Sequence, residues 1–156
     1  MSSIREIVYK DSILGGIEYD EEYNAFFGWV DIKEEEDEDI PFFYFNQRSD
    51  NENKNLVEKM KFLVQNIDLF MDKIKECFFN KSNPKDSLIS KMSKENYFLE
   101  LKINEIGFEN ESKFFISFID KHDWWSGKKK TAELPGLRVN GDLSLPEVFY
   151  DYSYMD

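Results

Sequence analysis

The sequence contains a single cysteine and a single histidine, and these shortages exclude several kinds of site. A disulfide within the chain needs a second cysteine, which Cys77 lacks, and this fits a reducing compartment. A structural zinc site takes several Cys and His ligands, so one of each cannot supply it. Catalysis by a serine–histidine pair would have to use His122. No disulfide, metal site or catalytic residue is therefore predicted.

Long apolar runs and phosphate-binding loops are also missing. No run approaches the 18 apolar residues that indicate a transmembrane helix. The opening, MSSIREIVYKDS, has neither the apolar core nor the small-residue cleavage site of a signal peptide. Neither GxGxxG nor GxxxxGK[ST] occurs. With Lys and Asn abundant, we expect a bacterial cytoplasmic protein that has no membrane partner and no cofactor.

The charge that is present is strongly negative and uneven. The formal net charge is −12, and residues 1–50 carry 14 Asp and Glu against 4 Lys and Arg, or −10. The other 106 residues carry 18 against 16, or −2. Such a field repels nucleic acid and anionic lipid and attracts cationic partners. A basic protein is the expected partner, nucleic acid is not, and an acidic surface that only confers solubility is the alternative.

Six consecutive acidic residues stand between two β-prone segments. Like charges packed this tightly repel each other and cannot be buried, so the run is predicted to be an exposed hairpin loop. It lacks the register and turn glycine of an EF-hand calcium loop. Its carboxylates are instead candidates for contact with a basic protein: Glu34, Glu35, Glu36, Asp37, Glu38 and Asp39.

Residues 12–47 have the alternation and turn chemistry of β-strands. In SILGGIEYD, the Gly15-Gly16 pair indicates a bulge or a close backbone approach. YNAFFGWVDIK is apolar on both alternating faces, which predicts a central strand covered on both sides, with Trp29 in the core. IPFFYFNQ, after the acidic run, is a further strand.

The clearest periodicity belongs to a helix. Apolar residues recur alternately four and three apart, at 56, 60, 63, 67, 70, 74 and 77, beside a second row at 57, 64, 71 and 78. This pattern predicts one long helix over about 54–79, with a stripe broad enough to pack on a sheet. Cys77 falls on the stripe, so it is expected to be a small core residue with a high thiol pKa.

The rest of the chain adds a short helix and more strands. Pro84 suits the first turn of a helix over about 84–93. NYFLELKINEIGFE, SKFFISFID and FYDYSYMD have strand patterns, and Asn140-Gly141 is the strongest two-residue hairpin signal. Strands on either side of a helical middle predict one α+β domain over 1–156. Its antiparallel sheet of about five to seven strands would have both helices packed on one face.

Residues 121–130, KHDWWSGKKK, concentrate unusual side chains. Neighbouring side chains in an extended segment point to opposite faces, so His122 and Asp123 would diverge. By the same geometry, one of Trp124 and Trp125 is expected in the core and the other near the surface, where it would anchor a contact. The Ser-Gly pair and the lysines predict an exposed bend.

Three segments appear in one order: GGIEYDEEYNAFFGWV (15–30), the helix at 55–79 and FFISFIDKHDWWSGK (114–128). A G-x-I/L-x-Y-D-x-x-Y-x-x-F-x-G strand pair, a helix of about seven turns and a strand running into an aromatic-aromatic-x-Gly turn together resemble a family of small uncharacterised bacterial proteins. The resemblance implies a domain of unknown function, with similar proteins sometimes encoded among toxin-immunity genes. A histidine often follows the turn glycine in that pattern, whereas Lys128 stands there in this chain. No catalytic residue is carried over.

Three interpretations follow. The first is a non-enzymatic, immunity-type inhibitor of a cationic toxin such as a nuclease, in which carboxylates steer the partner and a tryptophan holds it. The second is a small-ligand-binding protein or an enzyme with a pocket around His122, Asp123, Trp124 and Trp125. The third is a self-assembling module that pairs through the long helix or a sheet edge. The sequence does not decide the oligomeric state.

Overall fold

The computed structural model describes residues 5–32, 39–121 and 134–155, with the backbone alone of residues 5–9. Within these ranges the chain forms eight strands, three α-helices and one 3-10 helix. The strands are β1 Arg5–Asp11, β2 Gly15–Asp20, β3 Ala25–Val30, β4 Ile40–Phe45, β5 Leu101–Phe108, β6 Lys113–Asp120, β7 Gly136–Asp142 and β8 Phe149–Met155. The helical elements between β4 and β5 are α1 Asp50–Gln65, α2 Ile67–Asn80, the 3-10 helix Pro84–Ile89 and α3 Lys94–Leu99. Over these described stretches, none of the helices has both the length and the apolar character needed to cross a membrane.

The strands form one sheet in the order in which they occur in the chain. Neighbours are antiparallel except β4 and β5, which run parallel with Phe42 opposite Ile106. A parallel pair needs a crossover connection, and the helical segment supplies it. The α+β class is therefore confirmed, but an antiparallel sheet of five to seven strands is wrong. The sheet has eight strands because the chain also pairs β1 along β2, and it is mixed because of the crossover.

The apolar stripe of the helical segment packs on one face of the sheet. It shares one core cluster with strand residues such as Phe42, Ile106 and Ile116. Every position predicted for the main stripe is buried: Leu56, Met60, Leu63, Ile67, Phe70, Ile74 and Cys77. The prediction of a helical layer on the sheet, with Cys77 in the core, is confirmed.

The single long helix predicted over 54–79 is wrong, because the helix is interrupted at Asn66. The Asn66 backbone has φ −116° and ψ 31°, outside the helical region. Its side-chain amide donates to the Phe62 carbonyl at 2.8 Å, and its N–H donates to the Phe62 and Leu63 carbonyls at 3.1 and 3.2 Å. An asparagine side chain competes in this way with the helical hydrogen bonds. The second helix begins at once with Ile67, so the stripe remains continuous.

The short helix predicted over 84–93 is also wrong in its extent. Pro84 does occupy the first turn, but the element is a 3-10 helix that ends at Ile89. A separate helix, α3, then begins behind Ser93, whose hydroxyl accepts the Asn96 N–H at 3.1 Å. This serine cap starts a helix where the aromatic residues had predicted a strand.

The hairpin predicted at Asn140-Gly141 is wrong, since both residues lie inside β7. Gly141 is opposite Phe149, next to an irregularity in the pairing of β7 with β8. A Cβ atom at Gly141 would lie 2.5 Å from Cζ of Phe114. The glycine therefore makes room for a core ring instead of a turn.

Candidate functional site

Most of the residues predicted to contact a partner lie outside the described residues. They are Glu34, Glu35, Glu36, Asp37, Glu38, Trp124 and Trp125, together with His122 and Asp123 of the alternative pocket. Asp39 is described, and it is exposed at the start of β4. The start of β4, which follows the acidic run, and the end of β6, which precedes residues 122–133, lie at the same end of the strands. This follows because β4 is parallel to β5 and Asp120 of β6 lies opposite Leu101 at the start of β5.

The face of the sheet that lies opposite the helices, here called the open face, carries exposed aromatic side chains. Side chains alternate along a strand, so Phe27 and Trp29 of β3 project to the opposite side from Phe26 and Val30. Trp29 is 48% exposed. The prediction that Trp29 lies in the core is therefore wrong. The same face of β3 is covered in part, since Ala25 is buried and Phe27 is half-buried. The helical layer covers only one face of this strand.

Strand register places seven residues of the open face in one row across the sheet. From β2 to β8 the row is acidic at its first and last positions and aromatic towards the middle: Glu18, Phe27, Phe43, Gly107, Phe115, Asn140 and Asp151. On β1, the backbone of Ile7 lies opposite Glu18. Directly opposed side chains on one face are close enough to interact, so this row acts as one surface.

Gly107 at the centre of the row allows two rings to converge. A Cβ atom there would lie 2.5 Å from Cζ of Phe43 and 2.6 Å from Cε1 of Phe115. The two ring centroids are 5.7 Å apart. Because Gly107 has no side chain, the rings of Phe43 and Phe115 pack over the β5 backbone, and this packing holds both rings in fixed positions.

One side of the row is closed by a stacked arginine. The Arg138 guanidinium carbon lies 3.9 Å from the Phe115 ring centroid, which is a cation–π distance. Its Nε donates to Oδ1 of Asn140 at 2.9 Å, and the Asn140 amide donates to Asp151 at 2.7 Å. Phe115 is consequently buried, although it belongs to the open face.

The other side of the row is an open depression of about 360 Å³, here called the aromatic trough. Tyr23 and Phe45 are 60% and 42% exposed at its rim. Phe43 lies between neighbours, with centroid distances of 5.9 Å to Phe27 and 5.4 Å to Phe45. The trough is lined by Tyr23, Ala25, Phe27, Phe43, Phe45 and Glu105.

Of the described residues that line this trough, Glu105 is the one with an acidic side chain. Burial raises the pKa of its carboxyl, and the charge of Arg138 offsets part of that rise. Among the described residues, no hydrogen bond or ion pair engages its side-chain oxygens. The trough therefore joins aromatic ring faces to a half-buried carboxylate, which is the composition of a site for a cationic group.

A second polar cluster lies where α2, the 3-10 helix, α3 and β8 meet. The Asp86 carboxylate accepts hydrogen bonds from the hydroxyls of Tyr152 at 2.9 Å and Tyr154 at 2.7 Å. Lys94 Nζ donates to the Tyr152 hydroxyl at 2.6 Å and to the Phe78 carbonyl at 2.7 Å, and it forms an ion pair with Asp86 at 3.4 Å. Each of these groups is engaged within the protein, so the cluster fixes the helices to β8.

The same contacts shape the pKa values of the cluster. Burial would raise the pKa of Asp86, but hydrogen bonds from Tyr154, the Asn83 backbone and Tyr152, together with the Lys94 charge, bring it below 3.8. Burial and the bonds to Asp86 raise the pKa values of Tyr152 and Tyr154. The tyrosines thus stay protonated and the carboxyl stays ionised at neutral pH.

The outer edge of β8 is occupied by side chains from the loop after α2. Lys81 Nζ donates to the Tyr150 carbonyl at 2.9 Å and forms an ion pair with Glu147 at 3.2 Å. The Asn83 amide donates to the Tyr152 carbonyl at 2.8 Å. Two successive outward carbonyls of this strand are therefore satisfied.

A smaller depression of about 230 Å³ lies between α2 and the β7–β8 connection, beside Cys77. Cys77 is 5% exposed, and burial raises the pKa of its thiol. A thiol of this kind is a poor nucleophile at neutral pH. Within the described ranges, no group of three or more His, Cys, Asp or Glu could hold a metal ion.

Sequence reasoning missed the aromatic trough, although a signal for it was present. Both faces of β3 and β4 are apolar, whereas the sequence predicts only one helical layer. One layer covers one face, so the second apolar face had to remain available or be covered by something else.

Comparisons with models of protein families, with curated proteins and with solved structures give no match for this chain. The resemblance to small bacterial proteins therefore stays a prediction. The roles of the residues rest on this chain's own geometry.

Proposed function

We propose that this chain is a non-enzymatic protein that binds a basic partner protein through the aromatic trough. The specific form that we propose is an immunity-type inhibitor of a cationic toxin such as a nuclease, acting in the bacterial cytoplasm. The observation that carries the proposal is an exposed aromatic surface on a protein with a net charge of −12. Exposed apolar surfaces with charged borders are typical of interaction sites.

The two features have different physical roles. The negative field attracts a basic protein from a distance and raises its association rate. The aromatic rings are then buried against the partner, and this burial slows its dissociation. Glu18 of β2 and Asp151 of β8 flank the aromatic residues of the row, so negative charge lies on both sides of them.

Affinity capture from the native host tests the proposal. The wild-type chain should retain a protein of basic isoelectric point, and elution should occur as salt rises, because screening weakens the attraction. Phe45→Ser should abolish capture. Phe62→Ser is the matched control, since Phe62 is 51% exposed on α1, at the helical side of the sheet.

The captured protein is then expressed with and without this chain, and its toxicity to the host is compared. Protection by the wild type but not by Phe45→Ser supports an immunity-type inhibitor. Capture that both variants lose equally, or a retained protein that is acidic, contradicts the proposed surface.

A further inference from the structure

We infer that the aromatic trough takes an arginine side chain of the partner, with its guanidinium stacked on Phe43 and Phe45 and paired with Glu105. This inference rests on the proposed function and names the group that the trough recognises. Three observations support it: the lining of the trough, a Glu105 carboxylate without a hydrogen-bond or ion-pair partner among the described residues, and an arginine that already stacks on the same face.

The lining of the trough has the chemistry that attracts a guanidinium. Phe43 and Phe45 are in edge contact, with an interplanar angle of 69°, so they form two walls at a wide angle. Aromatic faces attract cations through their quadrupole, and a planar guanidinium stacks on them better than an ammonium does. A depression of about 360 Å³ has room for one such side chain.

Charge complementarity favours the same occupant. The half-buried carboxylate of Glu105 has no hydrogen-bond or ion-pair partner among the described residues, and burial raises the pKa of its carboxyl. Isolated charges in apolar surroundings are costly unless they are paired. A guanidinium in the trough would add a direct ion pair to the partial compensation from Arg138, and it would donate to both carboxylate oxygens, as arginine does in bidentate pairs.

The chain itself shows the same kind of contact. Arg138, which lies opposite Ser117, stacks on Phe115 of the row with its guanidinium carbon 3.9 Å from the ring centroid. The open face thus already holds one guanidinium on an aromatic ring. Among the described residues, no cation stacks on Phe43, Phe45 or Tyr23, so these rings can accept a second guanidinium.

Titration of the isotope-labelled full chain with acetyl-arginine amide tests the inference. Backbone amide shifts are expected at Phe43, Phe45, Glu105 and Gly107. Acetyl-citrulline amide has the same shape without the charge and should produce no shifts at these residues. Shifts confined to other residues, or shifts equal for the two probes, would overturn the inference.

Glu105→Gln should weaken binding of the arginine probe by about five-fold, which is the strength of a partly exposed ion pair. Glu95→Gln is the matched control, because it removes the same charge from an exposed position on α3. Equal affinities of Glu105→Gln and the wild type would refute the role of the carboxylate.

The two proposals fail in different ways. If Phe45→Ser loses the basic partner while the arginine probe does not bind in the trough, the surface is right and the arginine assignment is wrong. If Phe45→Ser and Glu105→Gln both retain the partner fully, the proposed surface itself is wrong. Probe binding that depends on Glu105, together with partner loss in both variants, supports both.

Discussion

Replacement of Lys94 by Met should destabilise the protein strongly, although the side chain keeps its length. The Lys94 ammonium donates to the carbonyls of Phe78 at 2.7 Å and Lys81 at 2.6 Å, and to the Tyr152 hydroxyl at 2.6 Å. The two carbonyls belong to the end of α2, where a positive charge also complements the helix dipole. Methionine fills the space but leaves these acceptors without their donor.

The magnitude follows from these contacts. A hydrogen bond to a charged group contributes about 1.5–3 kcal/mol. The Lys94 side chain is 21% exposed, so water replaces part of what is lost. We therefore expect a loss of about 2–4 kcal/mol rather than the full sum for three bonds. For a chain of this size, that corresponds to a fall in Tm of about 4–16 °C.

Urea unfolding followed by circular dichroism measures the loss, with the dependence on denaturant expected to stay unchanged. Lys91→Met is the control, because Lys91 is exposed between the 3-10 helix and α3. Its effect should stay within about 0.5 kcal/mol. A change of less than about 0.5 kcal/mol for Lys94→Met would refute the role given to this cluster.

Three further predictions concern other parts of the fold. Gly107→Val should cost about 1–3 kcal/mol in urea unfolding, because its Cβ would displace the rings of Phe43 and Phe115. No loss would show that these rings move freely. Asp86→Asn should destabilise the protein at pH 7, since the pKa of Asp86 is lowered in the folded state. The difference from wild type should shrink as pH falls from 3.8, the ordinary pKa of the carboxyl in the unfolded chain, through the lower pKa of the folded state, and a constant difference would contradict this account. Cys77 should react with a thiol reagent at least about 100-fold more slowly in native buffer than in urea, because it must be exposed first. Rapid native labelling would contradict its burial.

The helical stripe was predictable because burial repeats with the period of the helix. All positions of the main stripe, from Leu56 to Cys77, are buried as predicted. The interruption was not predictable from that period, because it depends on one side chain. Asn66 bonds to a carbonyl of the preceding turn, and the next helix restarts in phase, so the pattern of apolar residues is the same with or without the break.

The sheet was less predictable, because its size and pairing depend on contacts between distant segments. The parallel pairing of β4 with β5 joins residues such as Phe42 and Ile106, and nothing local in either strand specifies it. Asn140-Gly141 has the residues of a hairpin, yet its glycine serves the packing of Phe114. At this position, the space required by a core ring outweighs the local preference of Asn-Gly for a turn.

The predicted contact residues, apart from Asp39, lie outside the described residues, so their role stays a prediction. The exposed Trp29 and the aromatic trough were not predicted. Which apolar face of a strand is covered depends on where the helices lie, and alternation alone gives both faces equal weight. The trough depends on the pairing of distant strands, which brings Glu105 and Phe43 to the same side of the sheet.

The side chains along the outer edge of β8 also affect how copies of this chain meet in a crowded cell. An edge strand with unpaired carbonyls offers a template to which another chain can add, and this is a common route to aggregation. Lys81 and Asn83 occupy the Tyr150 and Tyr152 carbonyls, so an incoming strand would have to displace both side chains before it could pair. In a chain with 15 phenylalanines, these two side chains thereby hinder the addition of a second chain at the β8 edge, which is the first step of stacking into fibrils.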